Sequence, residues 1–480
     1  MSRSTTIRLG QKRLPAIARK GIPVPTYDRA QLRPGLVHIG VGGFHRSHLA
    51  VYVHELASHG SEWGIVGLGL LPGDAEMAAA LGSQDCLYTL IEKGDGEPSA
   101  QVIGSITRFV HAPPAHGEAA LELIAAAGTS ILSMTVTESG YAEQDGEPTT
   151  FDRIAAGLTL RRDRDAGALT ILSCDNLPGN GAAARGATLA AAARLEPTLP
   201  QWIEQNCTFP NSMVDRITPA TSSDDRDWLR DSAGIDDRWP VVSEPFRQWV
   251  LEDDFARGRP AWEDAGALFT NRIDDWEQYK LRMLNAAHSC MAYLSALAGI
   301  QYVHEAMAVA DVRAFLEILL YREAIPTLIE IPGHPREHYA DTVLERFANS
   351  GVRDQIARVC LDGSAKFPTF LIPTIARQLE RTGPIDCAAT ALAGWARYLA
   401  VVDPERQAFD PYGDSARRYA RQACSDPTAF LAYETVFPAE LRSSARFRAA
   451  FAAGYGQIAA DGPIAAMRGA WKRQVAGDAA

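Results

Sequence analysis

The sequence predicts an α/β fold, with an N-terminal parallel-sheet domain followed by a mostly α-helical C-terminal domain. Three observations predict it. Short apolar runs rich in β-branched residues alternate with Ala-rich helical stretches through the first half of the chain, the pattern of βα units with covered sheet faces. From Asp275 onward long amphipathic patterns take over and strand-like runs become scarce. The chain has 480 residues, 46% of them apolar and 22% charged, enough to bury two separate cores without disulfides or metals.

The elements follow in order. Residues 36–41 read as a first buried strand and 64–68 as a second, with 129–136 and 168–174 as the third and fourth. Helical stretches at 50–58 and 117–127 lie between them. In the second half helices are expected over 277–298, 312–319, 338–348 and 388–401. The change of pattern puts the domain boundary at 272/273, giving domains 1–272 and 273–480. A cofactor on the first and a catalytic helix on the second would place the active site in the cleft between them.

Bulk properties exclude several classes. The formal net charge of -11 gives no general attraction to nucleic acid or to anionic membranes. The seven cysteines are scattered, odd in number and without a CxxC, so buried free thiols are expected rather than a disulfide framework or zinc ribbon. The most apolar long stretch, 388–402, is interrupted by Arg397 and is too short to span a bilayer. Residues 1–21 carry Arg3, Arg8, Lys12, Arg13, Arg19 and Lys20 and no acid. With no apolar signal core behind them they read as a basic surface arm in preference to a transit peptide, and the cytoplasm is the default location.

The cofactor signal is Leu36-Val-His-Ile-Gly40-Val-Gly42-Gly43-Phe44-His45-Arg46, a strand running through a glycine turn into a helix. Gly40 and Gly42 permit a tight turn and close approach of backbone to a pyrophosphate, with a helix N-terminus facing the negative charge. His45 replaces the third glycine of GxGxxG, so the alternative is a ligand-free strand-to-helix turn. Arg46 adds charge to the phosphate site or is a solvated first-turn arginine. After the second strand Asp74 stands where an acid binds the adenosine ribose hydroxyls and repels a 2′-phosphate; its alternative role is a helix N-cap. Together these predict a Rossmann-type N-terminal domain binding NAD, with NADP as a weaker cofactor.

The catalytic signal is Asp275-Trp-Glu277-Gln-Tyr-Lys280-Leu-Arg282-Met-Leu-Asn285-Ala-Ala-His288-Ser-Cys290, read as one helix. At about 100° per residue Glu277, Lys280, Asn285 and His288 fall within roughly 140° of arc, and Arg282 points elsewhere. Leu284, Ala287 and Met291 lie alongside, more apolar than a solvated stripe with a Glu–Lys pair. Oxidising a secondary alcohol needs a base for the hydroxyl proton and donors for the developing alkoxide. Lys280 suits the first role, and Asn285 and His288 the second. Asn176, beyond the fourth strand, is a further donor or simple turn chemistry in Asp175-Asn176-Leu-Pro178-Gly179-Asn180. No HExxH and no paired Cys/His spacing occurs, so no metal is expected.

These segments carry a resemblance that runs from about residue 36 to beyond 400. Its motifs are His38-Ile-Gly-Val-Gly-Gly-Phe-His-Arg46, Thr135-Val-Thr-Glu138, Ser173-Cys-Asp-Asn-Leu-Pro178 and Phe209-Pro-Asn-Ser-Met-Val-Asp-Arg-Ile-Thr-Pro219. Further on are Ser243-Glu-Pro-Phe246, Lys280-Leu-Arg-Met-Leu-Asn-Ala-Ala-His288 and Asp362-Gly-Ser-Ala-Lys-Phe-Pro368. The sequence resembles the polyol-specific long-chain dehydrogenase/reductase family, nearest to its mannitol-oxidising branch. The resemblance implies Lys280 as general acid/base, Asn176 and Asn285 as an oxyanion hole, His288 as the residue orienting substrate and Glu277 as the gate for proton movement to solvent. It implies Arg358 and Lys366 on the polyol hydroxyls, Val214 and Asp215 beside the nicotinamide, and Asp74 as the NAD-selecting acid. Two departures stand out. Gly73 occupies a position that is often acidic, which weakens discrimination against NADP, and Ala286-Ala287 replaces a Gly-Ser pair.

The expected reaction is D-mannitol to D-fructose with NAD, with D-arabinitol and D-sorbitol as related substrates. The alternative within the family is a hexuronate (fructuronate) reductase. A different class, a non-catalytic sugar- or nucleotide-binding protein, is disfavoured by the joint presence of the lysine, both asparagines and the histidine. The resemblance also implies a monomer.

Overall fold

The computed structural model describes residues 6–114, 117–141, 148–410 and 412–477. The chain divides into two compact units, Met1–Asp274 and Asp275–Ala480. Arg3 and the start of the basic N-terminal arm lie outside the described residues. The rest of that arm is not a loose surface segment. Ile7–Arg8 pairs with Ile235–Asp236, and Leu9, Leu14 and Ile17 are buried in a core cluster.

Unit 1 is built on a six-stranded parallel sheet. In chain order its strands are β1 (Arg33–Ile39), β2 (Trp63–Gly69), β3 (Ile106–His111), β4 (Ile131–Met134), β5 (Leu169–Ser173) and β6 (Cys207–Thr208). The spatial order is β3-β2-β1-β4-β5-β6, parallel throughout. The order reverses between β1 and β4, where doubly wound sheets form their ligand crevice at the carboxyl ends of the strands. Alternation along the strands fills both faces. Leu36, Ile65, Ile131 and Leu172 enter one core, while Val37, Val66, Leu132 and Ile171 enter the other. Helices cover these faces, among them α1 (Gly43–Ser47), α2 (Leu49–Ser58), α3 (Ala75–Gly82), α4 (Glu118–Ala125), α5 (Thr150–Asp163) and α6 (Asn180–Leu195).

The four strands and two helices expected in this half are present, with ends shifted by at most three residues. Two small sheets were not anticipated. One pairs Val241–Ser243, Tyr88–Glu92 and Ser99–Ile103, and the other pairs Ser212–Asp215, Gln248–Leu251 and Leu268–Phe269. Their strands have two to five residues, and apart from the hairpin of Tyr88–Glu92 with Ser99–Ile103 they pair across longer stretches of chain, so short runs give little periodicity to announce them.

Unit 2 is helical. Its site-bearing segment is α7 (Ile273–Tyr279), a π-helical turn (Lys280–Asn285) and α8 (Ala286–Leu297). Around it lie α9 (Ala310–Ile318), α10 (Arg336–Ala348), α11 (Gly363–Phe370), α12 (Asp386–Val401), α13 (Ala445–Asp461) and α14 (Pro463–Gly477). Helix α12 is buried along most of its length and packs against α8 and α13. Gly394 allows this approach, since a Cβ there would come within 2.6 Å of Leu294. The N-terminus of α12 is capped internally. The buried Glu323 carboxylate accepts from the N–H groups of Cys387 (2.7 Å) and Ala388 (2.9 Å), which satisfies donors that a buried helix end cannot leave open.

No described helix is long and apolar enough to cross a membrane. Six of the seven free cysteines are buried as expected; Cys424 is exposed, which corrects the expectation for that one.

Candidate active site

The glycine turn leaves β1 at Ile39. Gly40 has φ +86, and a Cβ on it would lie 2.2 Å from the Thr135 carbonyl oxygen of the loop after β4. Both facts require glycine there. The turn is locked by the Gly40 N–H to Leu68 O (3.1 Å), the Gly42 N–H to Gly40 O (2.8 Å) and the Thr135 hydroxyl to Gly40 O (2.6 Å). Gly42 is different: its φ is −73, and a Cβ would meet nothing within 4 Å. Neither backbone nor packing demands glycine at 42, so the open space over it is the cradle that close approach of a pyrophosphate would use. Helix α1 begins directly after it, and the first-turn N–H groups of Gly43, Phe44 and His45 have no intrahelical acceptor.

The third glycine of the motif is absent because another contact holds helix to strand. The His45 ring stacks on His38 of β1 with centroids 3.5 Å apart and planes 18° apart. His38 meets the hydroxyls of Ser133 (2.8 Å) and Thr135 (3.0 Å). Burial drives the His38 pKa down to about 3 and that of His45 well below its usual value, so the stacked rings are neutral. Phe44 stacks on His48 at 4.9 Å.

Arg46 is not a solvated first-turn residue. Its guanidinium is buried, donates to the Trp239 carbonyl (2.6 Å) and lies over the Tyr88 ring. Asp74 follows β2 and is half-buried. Its carboxylate accepts from the Leu71 N–H (2.9 Å), so it caps a turn at the mouth of β2, and its Cβ lies where a side chain on Gly69 would have to go.

At the end of β5 the chain forms the turn that carries Asn176, which is exposed. Buried side chains hold the turn on both sides. The Asp175 carboxylate accepts from the Thr137 N–H (2.7 Å) and the Tyr141 hydroxyl (2.9 Å). Thr137 has φ +63, a costly conformation for a β-branched residue. The Asn180 amide donates to Asp175 O (3.0 Å) and Ser212 O (2.7 Å), and its oxygen accepts from the Ser212 N–H (2.9 Å). That pairing joins the Asn176 turn to strand Ser212–Asp215, where Val214 and Asp215 are both 4% exposed.

In unit 2 the sequence reading of one uninterrupted helix is corrected. Lys280–Asn285 is π-helical, and the Ala286 N–H bonds to Leu281 O, five residues back. In an α-helix residues five apart differ by roughly 140° in direction; a π-turn closes on the fifth residue instead, which puts Lys280 and Asn285 on successive turns. Glu277, Lys280 and His288 are 7%, 8% and 8% exposed, and Asn285 is half-buried. Arg282 is buried too, donating to the Thr374 hydroxyl (3.0 Å) and to Thr327.

The His288 ring lies flat on Phe347, with centroids 3.8 Å apart. Burial lowers its pKa to about 3, against the opposing charge of Asp354. Its Nε2 stands 4.0 Å from the Asp354 carboxylate. Arg358, half-exposed, donates Nε to Asp354 Oδ1 (2.7 Å) and Nη2 to Oδ2. Lys366, on the first turn of α11, donates to Val359 O (3.3 Å). Among the described residues no group of three His, Cys, Asp or Glu is arranged to hold a metal ion.

Residues 34–264 match the Mannitol dehydrogenase Rossmann domain, and residues 272–459 match the Mannitol dehydrogenase C-terminal domain. The chain belongs to the mannitol dehydrogenase family. A mannitol 2-dehydrogenase of Aspergillus fumigatus is 39% identical over 95% of this chain and 97% of its own length. The solved Pseudomonas fluorescens mannitol 2-dehydrogenase, in ternary complex with NAD and D-mannitol, is 38% identical with a TM-score of 0.87, covering 97% of this chain and all of that one. A D-sorbitol dehydrogenase solved in substrate-free form is 33% identical with a TM-score of 0.85, covering 96% of this chain and all of that one.

Within this family member several site-building residues escape a reading of the sequence. Asp175, Asn180 and Thr137 frame the Asn176 turn, and Asp354 pairs with Arg358 and stands 4.0 Å from His288. Asp175, Asn180 and Thr137 were visible only as turn formers or as members of a motif, with no role of their own, and nothing singles out Asp354, whose approach to His288 spans distant positions.

Proposed function

We propose that this mannitol dehydrogenase family member oxidises a secondary alcohol of an open-chain sugar alcohol to the ketose with NAD, and that D-mannitol to D-fructose is its leading reaction. The observation that carries the reading is the likeness, over nearly all of both chains, to a mannitol 2-dehydrogenase solved with NAD and D-mannitol. The buried Lys280 on a π-turn with Asn285, followed by His288 on α8, supports it.

Bound NAD would supply the hydride acceptor for the carbinol carbon. The residues of this chain supply the rest. The glycine turn and the first N–H groups of α1, at Gly40, Gly42, Gly43, Phe44 and His45, would hold the pyrophosphate. Asp74 would accept from the adenosine ribose hydroxyls, and Val214 and Asp215 would lie beside the nicotinamide. Arg46, buried against Trp239, supports the phosphate turn from behind.

Lys280 Nζ takes the hydroxyl proton as the carbinol carbon is oxidised and returns one in the reverse direction. Asn285 and Asn176 offer amide N–H groups to the oxygen as charge develops on it. His288, neutral and clamped on Phe347, orients that hydroxyl. Arg358 and Lys366 hold the remaining hydroxyls, and Glu277 passes the proton between Lys280 and solvent.

A hexitol differing from mannitol at one carbon is the second reading, favoured by the likeness to D-sorbitol dehydrogenase. Absorbance of NADH at alkaline pH separates the readings in a panel of D-mannitol, D-sorbitol and D-arabinitol with NAD and with NADP. The highest kcat/KM is expected for D-mannitol with NAD. A higher value for D-sorbitol moves the assignment to the second reading. Faster NADH oxidation by fructuronate than by fructose would overturn both, and no turnover with any polyol or ketose would leave a binding protein.

A further inference from the structure

Asp354 stands at a junction that neither the family's motifs nor the reaction scheme uses. It lies between α10 and the short helix Ile356–Val359, and its side chain is 5% exposed. The backbone holds it firmly on either side. Its carbonyl accepts from the Val303 N–H (2.9 Å), the Ile356 N–H donates to Gln301 O (2.9 Å), and Gln355 bridges to Tyr302. The preceding residue, Arg353, has φ +50, a region that non-glycine residues enter at a cost, and its guanidinium rests on the Tyr302 ring. The chain is therefore bent and pinned where it turns this carboxylate inward.

Beside a backbone hydrogen bond from Gln355, two side chains flank the carboxylate. Arg358 meets both of its oxygens through Nε and Nη2. This uses two of the five guanidinium N–H groups in a fixed fork and leaves three on a side chain that is 52% exposed. The second neighbour is His288, whose buried Nε2 has no hydrogen-bond partner among the described residues and faces Asp354 Oδ2 at 4.0 Å. Closing that gap to hydrogen-bond distance takes a shift of about 1 Å. An i,i+4 Arg–Asp pair on a solvated helix is commonplace and worth little. Here the carboxylate is buried, only the arginine reaches solvent, and the same carboxylate faces an otherwise unpartnered ring nitrogen.

We propose that Asp354 is a positioning residue for polyol binding. It fixes the fork of Arg358 so that the remaining N–H groups present to substrate hydroxyls, and it holds the His288 proton on Nε2, leaving Nδ1 as the acceptor for a substrate hydroxyl. A carboxylate setting the tautomer and orientation of a working histidine is a general device. The inference rests on the reading of Arg358 and His288 as polyol-holding residues.

A double-mutant cycle on the full-length enzyme tests it, with D-mannitol as substrate and NAD saturating. Asp354→Asn keeps the shape and removes the charge. The KM for D-mannitol is expected to rise about 10- to 100-fold, the usual size of a misplaced binding group, with kcat changing less than KM and the NAD dissociation constant unchanged. In an Arg358→Ala background the same substitution is expected to raise KM clearly less than it does in the wild type, because the share exerted through Arg358 is already lost and only the share exerted through His288 remains. Arg358→Lys, which keeps a cation but cannot take the carboxylate at two points, should approach Arg358→Ala and serves if Asp354→Asn does not fold. A full additive loss in the double mutant, or a wild-type KM in Arg358→Lys, would overturn the proposal. Arg358→Ala with an unchanged KM would sink the reading of Arg358 and this inference with it. A raised KM in Arg358→Ala beside a normal one in Asp354→Asn would sink the inference alone.

Discussion

At the scale of single residues, chemistry and cofactor choice are separable. Lys280 is buried in unit 2 on a π-turn, whereas the glycine turn that fits a dinucleotide belongs to unit 1. Lys280→Ala should therefore lower turnover by about 10²–10⁴, the range for a lost general base, with NAD affinity retained in fluorescence titration; a variant that no longer binds NAD would contradict this division. Asp74 poses a sharper problem, because its carboxylate already caps the Leu71 N–H. Removing a cap costs about 0.5–2 kcal/mol of stability and would weaken both cofactors alike, whereas losing the acid at the ribose hydroxyls weakens NAD more than NADP, whose 2′-phosphate that acid repels. Asp74→Ala should raise the KM for NAD about 10-fold or more with a much smaller change for NADP. Parallel loss of both would assign Asp74 to the cap alone.

At the scale of elements, one turn contains two glycines that are required for different reasons. Gly40 is fixed by its own chain, through a positive φ and the Thr135 carbonyl. Gly42 is left open by its chain. Gly40→Ala should destabilise unit 1 by more than about 1 kcal/mol, seen as a lowered melting temperature. Gly42→Ala should melt no earlier than the wild type yet bind NAD at least about 10-fold more weakly. If Gly42→Ala binds NAD normally, the pyrophosphate does not sit on this turn. The strand before the turn and the helices after it were legible because their apolar spacing is local. The π-turn was not: an amide that skips to the fifth residue leaves no periodic mark, and it arises where Arg282 is drawn inward to Thr374 and Thr327. The His38–His45 stack was equally hidden, since the sequence showed only a missing glycine.

At the scale of the whole molecule, the buried imidazoles are unevenly shared. His38, His45, His48 and His54 lie in unit 1 with pKa values pushed by burial to about 3, well below normal, about 3 and about 4 respectively, while unit 2 holds His288, at about 3. An unfolded histidine titrates near 6.5, so between that value and the folded one the unfolded chain binds more protons, and stability falls as pH falls through the window. Buried Glu323 in unit 2 works in the other direction. Burial raises its pKa to about 7, so the fold favours its protonated form, and its penalty grows as pH rises from about 4.5 through 7. Asp175 and Asp237 act in that second sense within unit 1, against four imidazoles. Calorimetry between pH 7 and 5 should show the transition that NAD raises moving down faster than the other; parallel movement of both would refute the uneven sharing.

The sequence alone was sufficient for the fold class, the family and the candidate residues, because alternation, glycine spacing and motif order are properties of neighbours along the chain. Only the tertiary structure decided that Lys280 and Asn285 occupy successive turns, that Arg46 is buried against Trp239, and that the buried Asp354 carboxylate pairs with Arg358 and stands 4.0 Å from His288. Each of these depends on groups that folding brings together from distant positions, or on a helical phase that packing sets, and such relations leave no trace in local periodicity.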